Sequence, residues 1–194
     1  MQVGGEDGHK SAKVLAEEVA SLRARLDERD AEIARLQGLV DIDPLLPLLN
    51  RRAFLREAER AWASSVRHGH GLAVIYLDID GLKTINDAHG HAAGDAVLGY
   101  VCEVVTANMR AGDLAGRMGG DEFALLLTHL TSRQAETKAE ELCGKIGAGG
   151  VPTDAGRVQV TATCGVCSSR GQATLKELLR TADERMLALK RAAR

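Results

Sequence analysis

The run Arg117-Met118-Gly119-Gly120-Asp121-Glu122-Phe123 limits the fold more than any other stretch. Apolar residues lead into it and Ala124-Leu125-Leu126-Leu127 follows, which reads as strand, tight turn, strand. Gly119-Gly120 is the expected turn, its glycines supplying the positive φ values of a two-residue hairpin and leaving the backbone bare toward a bulky polyanion. Asp121 and Glu122 stand directly beyond. Two carboxylates at a rigid tip repel each other, and a divalent cation such as Mg²⁺ (or Mn²⁺) relieves that by taking hard oxygen ligands. A solvated tip with two exposed acids is the alternative reading of these seven residues alone.

A second acid pair lies upstream. Leu72-Ala73-Val74-Ile75-Tyr76-Leu77 is a short continuous apolar run, as expected of a central strand buried on both faces, and it stops at Asp78-Ile79-Asp80. Period-two geometry puts Asp78 and Asp80 on one face, where desolvation penalises them unless a cation or a donor sits between them.

The other elements follow from pattern. Arg51 to about Val66 reads as a helix with Phe54, Leu55, Ala58 and Trp62 on one face, closed by His68-Gly69-His70-Gly71. A long helix runs from about Ala92 to Met109, preceded by His89-Gly90-His91, which reads as a turn rather than a metal site. Another helix spans about Ser132 to Ile146, with Thr131 and Gln134 placed as a capping box. Gly147 to Pro152 breaks it, and a strand or strand pair follows around 157–168. Val158, Val160, Ala162, Cys164 and Val166 share one face there, so Cys167 points the other way. The last helix starts at Thr174, with Glu177 as capping partner and Leu175, Leu178, Leu179, Ala182, Met186 and Leu189 as its apolar stripe.

Ahead of the globular part, residues 1–10 are polar and glycine-rich and are expected to fray. Residues 11–40 carry heptads, with Ala12, Val19, Leu26, Ile33 and Val40 at a and Leu15, Leu22, Arg29 and Leu36 at d. In a parallel, in-register dimer the g and e positions pair Glu18 with Arg23 and Arg25 with Asp30, both opposite in sign. A single amphipathic helix is the alternative. Asp41-Ile42-Asp43-Pro44 closes this segment, and the domain of residues 41–194 begins.

Composition narrows the function classes. A net charge of −2 and an aromatic fraction of 3% argue against a nucleic-acid binder, which needs a basic field and stacking side chains. No apolar run is long enough to span a membrane and the opening residues lack a signal-peptide core, which points to the cytoplasm. Cys164 and Cys167 form a C-x-x-C without a second pair, and read as packing cysteines.

The order helix, strand, helix, hairpin, helix, strand, helix describes an α/β (α+β) domain with a mostly antiparallel central sheet flanked by helices, as in nucleotide cyclases and polymerase palms. In such a fold Asp78 can face Asp121 and Glu122 across a metal-sized gap. Gly119-Gly120-Asp121-Glu122-Phe123 resembles the signature of the GGDEF-type diguanylate cyclases, and Asp78-Ile79-Asp80, Asn86-Asp87, Gly90-His91, Gly94-Asp95 and Ala182-Asp183-Glu184 match that family's pattern in order. The resemblance covers about Asp43 to Arg194. It implies condensation of two GTP into cyclic di-GMP with release of two pyrophosphates, at the interface of a homodimer brought together by the coiled coil. Asp78, the Ile79 carbonyl and Asp121 would hold metal, with Glu122 a further ligand or the acid that helps activate the 3′-hydroxyl. Asn86 and Asp95 would read guanine, whose N1–H and N2–H₂ edge donates to a carboxylate. Main-chain N–H groups of Gly81, Leu82 and Lys83 would cradle phosphate oxygens beside the bare Gly119-Gly120 backbone, and Lys190 with Arg194 would meet the terminal phosphates. Arg110 and Asp113, five residues before the glycines, match the family's inhibitory product-binding motif, with Arg133 and Lys138 as candidates to complete it.

The chain also departs from the family. Leu45-Leu46-Pro47-Leu48-Leu49-Asn50-Arg51-Arg52 stands where Leu-Thr-Gly-Leu-Pro-Asn-Arg-Arg is common, Leu82 and Leu187 replace usual aromatics, and Ala193 replaces a usual glycine. None of these removes a charged group from the chemistry. A catalytically silent module that binds GTP or cyclic di-GMP is the competing expectation.

Overall fold

The computed structural model describes residues 18–30, 41–153 and 156–193. The expected frayed terminus, most of the heptad positions and Arg194 lie outside them. Contacts divide the chain into residues 1–40 and 41–194. In the first unit residues 18–30 form a helix (α1), on which Val19, Leu22 and Leu26 are 43%, 50% and 62% exposed.

The second unit is built on a five-stranded sheet in the order β1-β3-β4-β2-β7. Its strands are β1 (Leu49–Asn50), β2 (Leu72–Ile79), β3 (Leu114–Arg117), β4 (Glu122–Thr128) and β7 (Ala162–Ser168). All neighbours are antiparallel except β1, which runs parallel to β3. The continuous apolar run becomes the central strand: every residue of β2 is buried, because helices cover both faces.

Alternation sorts the core into two. Ile75, Leu77 and Ile79 of β2 and Phe123, Leu125 and Leu127 of β4 point to one face, covered by α4 (His91–Ala107) and α5 (Ser132–Ala148). Leu72, Val74, Tyr76, Ala124 and Leu126 point to the other, covered by α2 (Arg51–His68) and α6 (Leu175–Ala192). Cys164 packs with the first set and Cys167 with the second, as the alternation requires. Gly165 lets α6 sit directly on β7: a Cβ there would lie 2.1 Å from Ala182 O and 2.3 Å from Met186 N.

Local signals explain the helix ends. Asn50 Oδ1 accepts from Ala53 N at the start of α2, and Gly69 closes that helix in the left-handed region. Thr131 and Gln134 form a full capping box on α5. Thr174 accepts from Glu177 N, but the Glu177 carboxylate turns back to Ala173 N, so only half the expected box forms on α6.

Several expectations need correction. The segment after Asp80 is itself helical, α3 (Leu82–His89), joined to α4 through Gly90. The Gly147–Pro152 breaker leads into β5 (Gly150–Thr153), which pairs with β6 (Gly156–Gln159) in a separate hairpin. Leu189 does not join the α6 stripe; it is 53% exposed. The Gly119-Gly120 turn is not a two-residue positive-φ turn either. Residues 118–121 form the connection, neither glycine has positive φ, and Met118 N donates to Glu122 O across its base. At Gly119 the neighbour that matters is an acid: a Cβ there would lie 2.8 Å from Glu122 Oε2 and would displace that carboxylate.

Candidate active site

The sheet pairing delivers the acids to one place. Asp78 and Glu122 are direct cross-strand partners on β2 and β4, so their side chains leave the sheet on the same face, beneath α6. Asp121 is held at that edge by its carbonyl, which accepts from Ile79 N at 3.1 Å. Asp80 lies just beyond β2, its two oxygens accepting from the Thr161 and Thr163 hydroxyls at 2.9 Å each. From the last turns of α6, Lys190 drops its ammonium onto Asp78 and comes within 3.9 Å of Asp80. Expected terminal-phosphate ligand Lys190 is therefore ion-paired here.

Burial and like charge govern the electrostatics. Desolvation pushes the Asp78 carboxyl above its ordinary value, Lys190 opposes this, and Asp121 adds to it. Glu122 is likewise raised, first by burial and then by Asp78, Asp183 and Asp121. Among the described residues no three acidic, histidine or cysteine side chains gather closely enough to grip an ion by themselves. The donors are nevertheless hard carboxylate oxygens, partly desolvated and already drawing a cation in the form of Lys190. That chemistry fits Mg²⁺ or Mn²⁺.

The hairpin tip is fastened by a residue that sequence reading left in the strand. Arg117 donates through Nε to Gly119 O at 3.1 Å, through Nη2 to Gly120 O at 2.8 Å and through Nη1 to Asp43 Oδ1 at 3.2 Å. Asp43 also accepts from Leu45 N and Leu46 N, so the opening turn, its unusual leucines included, is tied to the acid-bearing tip. Arg51 reaches Met118 O at 3.4 Å and opposes the upward shift of Glu122, while Asp183 of α6 adds to it. Asp183 was visible in the Ala182-Asp183-Glu184 match. Arg51 was visible only as the start of the domain's first helix and in the Asn50-Arg51-Arg52 run of the entry segment.

Beside the acids, Gly81 adopts the left-handed conformation at φ 69° and starts α3 without a side-chain cap. The first N–H groups of a helix, here those around Leu82 and Lys83, have no intrahelical acceptor. Further along α3, Asn86 buries Oδ1 without a hydrogen-bond partner. It occupies the space left by Gly94 of α4, where a Cβ would lie 1.9 Å from that oxygen. The exposed Asp95 is the next residue, so the α3–α4 corner joins the two expected guanine readers.

Arg110 and Asp113 are not part of this cluster. Asp113 accepts from Arg110 N at 3.0 Å and from Thr128 N at 3.1 Å, which puts it at the end of β4 opposite Glu122. There Arg110, Asp113, Arg133, Gln134, Lys138 and Glu141 line a groove of about 560 Å³.

The family model described as "Diguanylate cyclase, GGDEF domain" matches residues 40–194. Diguanylate cyclase TpbB of Pseudomonas aeruginosa is 36% identical over 182 residues, which is 93% of this chain but 41% of that protein's length. The GGDEF domain of DgcB from Caulobacter crescentus, solved in complex with c-di-GMP, superposes with a TM-score of 0.76 at 28% identity, over 80% of this chain and 92% of that one. The coiled coil and GGDEF domain of the same DgcB, also in complex with c-di-GMP, superposes with a TM-score of 0.75 at 26% identity, over 93% of this chain and 96% of that one. An acid pair set in register across two central strands, with the family model covering the whole of that sheet, makes this chain a member of the GGDEF diguanylate cyclase domain family.

Proposed function

We propose that the chain is a diguanylate cyclase that joins two GTP molecules into cyclic di-GMP and releases two pyrophosphates. The observation that carries this reading is the register pair Asp78–Glu122, with Asp121 tied to the same strand end. Asp78, the Ile79 carbonyl, Asp121 and Glu122 would hold Mg²⁺ or Mn²⁺, which when bound neutralises triphosphate charge and lowers the pKa of an attacking hydroxyl. Glu122, whose pKa is raised, is suited to accept the 3′-hydroxyl proton near neutral pH. Lys190 exchanges Asp78 for the terminal phosphates as substrate arrives, with Arg194 beside it, which leaves Asp78 available as a ligand. The N–H groups of Gly81, Leu82 and Lys83, with the bare backbone of Gly119 and Gly120, take the phosphate oxygens. Asn86 and Asp95 bind the guanine edge.

One site holds one GTP, so ring closure requires two domains facing across a twofold axis. The exposed Val19, Leu22 and Leu26 supply an apolar stripe for a second copy, in keeping with a parallel coiled coil over residues 11–40. The groove around Arg110 and Asp113 takes cyclic di-GMP as a feedback inhibitor, Arg110 donating to guanine or phosphate. Asp113 serves first to fix the Arg110 backbone.

The test incubates protein stripped of bound nucleotide and shown to be dimeric with GTP and Mg²⁺, with products identified by chromatography and mass detection. Cyclic di-GMP from the parent and none from Asp121→Ala is the expected result. No product from the parent would replace this reading with that of a silent nucleotide-binding module.

A further inference from the structure

Two of the four cysteines meet at a place the active-site chemistry does not use. Cys143 on α5 and Cys164 on β7 are 21 residues apart in sequence, yet their Sγ atoms are 2.7 Å apart. Both are free thiols. That separation is well inside ordinary non-bonded sulfur contact and not far from the ~2.0 Å of a disulfide, so closing the bond asks little of the backbone. Both thiols are half-buried and line a groove of about 540 Å³, along with Glu136, Glu140, Arg185 and Leu189. Cys102 and Cys167, by contrast, are buried in the two cores.

We propose that Cys143 and Cys164 form a reactive dithiol that a hydroperoxide converts to an intrachain disulfide fastening α5 to β7. The two sulfurs have distinct roles. The contact with Cys164 draws the Cys143 thiol below its ordinary pKa, while the same contact and burial keep Cys164 protonated. The Cys143 thiolate attacks a peroxide oxygen, the O–O bond breaks, and Cys143 becomes a sulfenic acid as the first molecule of water or alcohol leaves. The Cys164 sulfur then attacks the Cys143 sulfur, the S–O bond breaks, and water carries away the hydroxyl with the Cys164 proton. Two electrons pass from the thiols to the peroxide. The product lies one strand from the acids, because Cys164 is paired with Leu77 and its neighbour Thr163 holds Asp80.

The test oxidises the reduced full chain with hydrogen peroxide, blocks remaining thiols with iodoacetamide, and maps the peptides without reductant. The expected result is loss of two of four titratable thiols, one cross-linked peptide joining Cys143 to Cys164, reversal by dithiothreitol, and a melting temperature about 5–10 °C higher in the oxidised form. Cys164→Ser should stop at a Cys143 sulfenic acid that dimedone traps. Four surviving thiols, oxidation spread evenly over Cys102 and Cys167, or sulfinic acids with no cross-link would each overturn the proposal. Because the map reads sulfur chemistry whether or not the chain turns over GTP, its failure is separable from failure of the cyclase reading.

Discussion

Replacing Gly94 with alanine separates a contact made for recognition from one made for stability. A Cβ at Gly94 would lie 1.9 Å from Asn86 Oδ1 and 2.8 Å from its Cγ, so the amide must swing away by well over an ångström. The atoms in the way belong to a side chain rather than to backbone, and Oδ1 has no hydrogen-bond partner to lose. The displaced rotamer costs about 0.5–1.5 kcal/mol. Alanine in place of glycine inside α4 returns about 0.5–1 kcal/mol, so folding stability should change by less than about 1 kcal/mol. Function should change far more. If Asn86 with Asp95 reads guanine, losing one well-placed hydrogen bond costs about 1–3 kcal/mol, an increase of roughly 5- to 150-fold in the KM for GTP. The assay measures initial rates of pyrophosphate release with GTP and with ITP, which lacks the 2-amino group, beside a thermal melt of each protein. The variant should melt within about 3 °C of the parent and lose most of the parent's preference for GTP over ITP. An unchanged KM and preference in a folded variant would refute the guanine-reading role. A fall of 10 °C or more would instead mean that α4 had moved rather than Asn86.

Other perturbations follow from the same geometry. Gly165→Ala drives a Cβ into the α6 backbone, which cannot yield as a side chain does, and should cost about 3 kcal/mol or more, seen as a fall in Tm of roughly 6–12 °C. Arg117→Ala removes three charge-assisted hydrogen bonds from the hairpin tip and leaves the Asp43 carboxylate with only its two backbone donors, Leu45 N and Leu46 N, for an expected loss of about 2–4 kcal/mol in urea unfolding; a loss below 0.5 kcal/mol would show that the tip holds itself. Glu122→Gln should raise the metal-free Tm at pH 7. Because the folded pKa of Glu122 lies above its ordinary 4.5, its ionisation costs stability as pH rises through that raised value, and the advantage of glutamine should shrink as pH falls toward 4.5. The same substitution should weaken the rise in Tm produced by Mg²⁺, measured by differential scanning fluorimetry.

Sequence made the centre of the sheet legible because β2 is buried on both faces and therefore reads as one short continuous apolar run. Leu72 to Leu77, bounded by Gly71 and the acids, has the length and content of a buried strand, and the observed register of β2 on β4 sets Asp78 opposite Glu122. The capping box at Thr131 and Gln134 was equally local. Contacts of long sequence separation were not legible. Arg117 reaching Asp43, Lys190 resting on Asp78, and Cys143 meeting Cys164 each depend on how two elements dock, and no spacing in the chain encodes docking. The strand β5 was hidden by its own Gly150 and Pro152, which count as breakers until the partner β6 is known.

The glycine pair shows why a correct motif can rest on a wrong cause. Adjacent glycines before a strand suggest positive φ, because that is what short hairpins most often need. Here the connection is longer, and the φ constraint is absent at both positions. A side chain at Gly119 would push aside the Glu122 carboxylate, whose Oε2 lies 2.8 Å from the would-be Cβ; at Gly120 nothing beyond the chain neighbours comes within 4 Å. The two positions therefore separate. Gly119 is set by the protein's own acid and Gly120 by whatever enters the open space beside it. Gly120→Ala should leave the Tm within about 2 °C of the parent, because the backbone is unstrained and nothing is struck. If that space receives the triphosphate, the same variant should bind GTP at least tenfold more weakly in equilibrium dialysis. A variant that melts and binds as the parent does would remove Gly120 from the substrate site, while Asp78, Asp121 and Glu122 would stand as before.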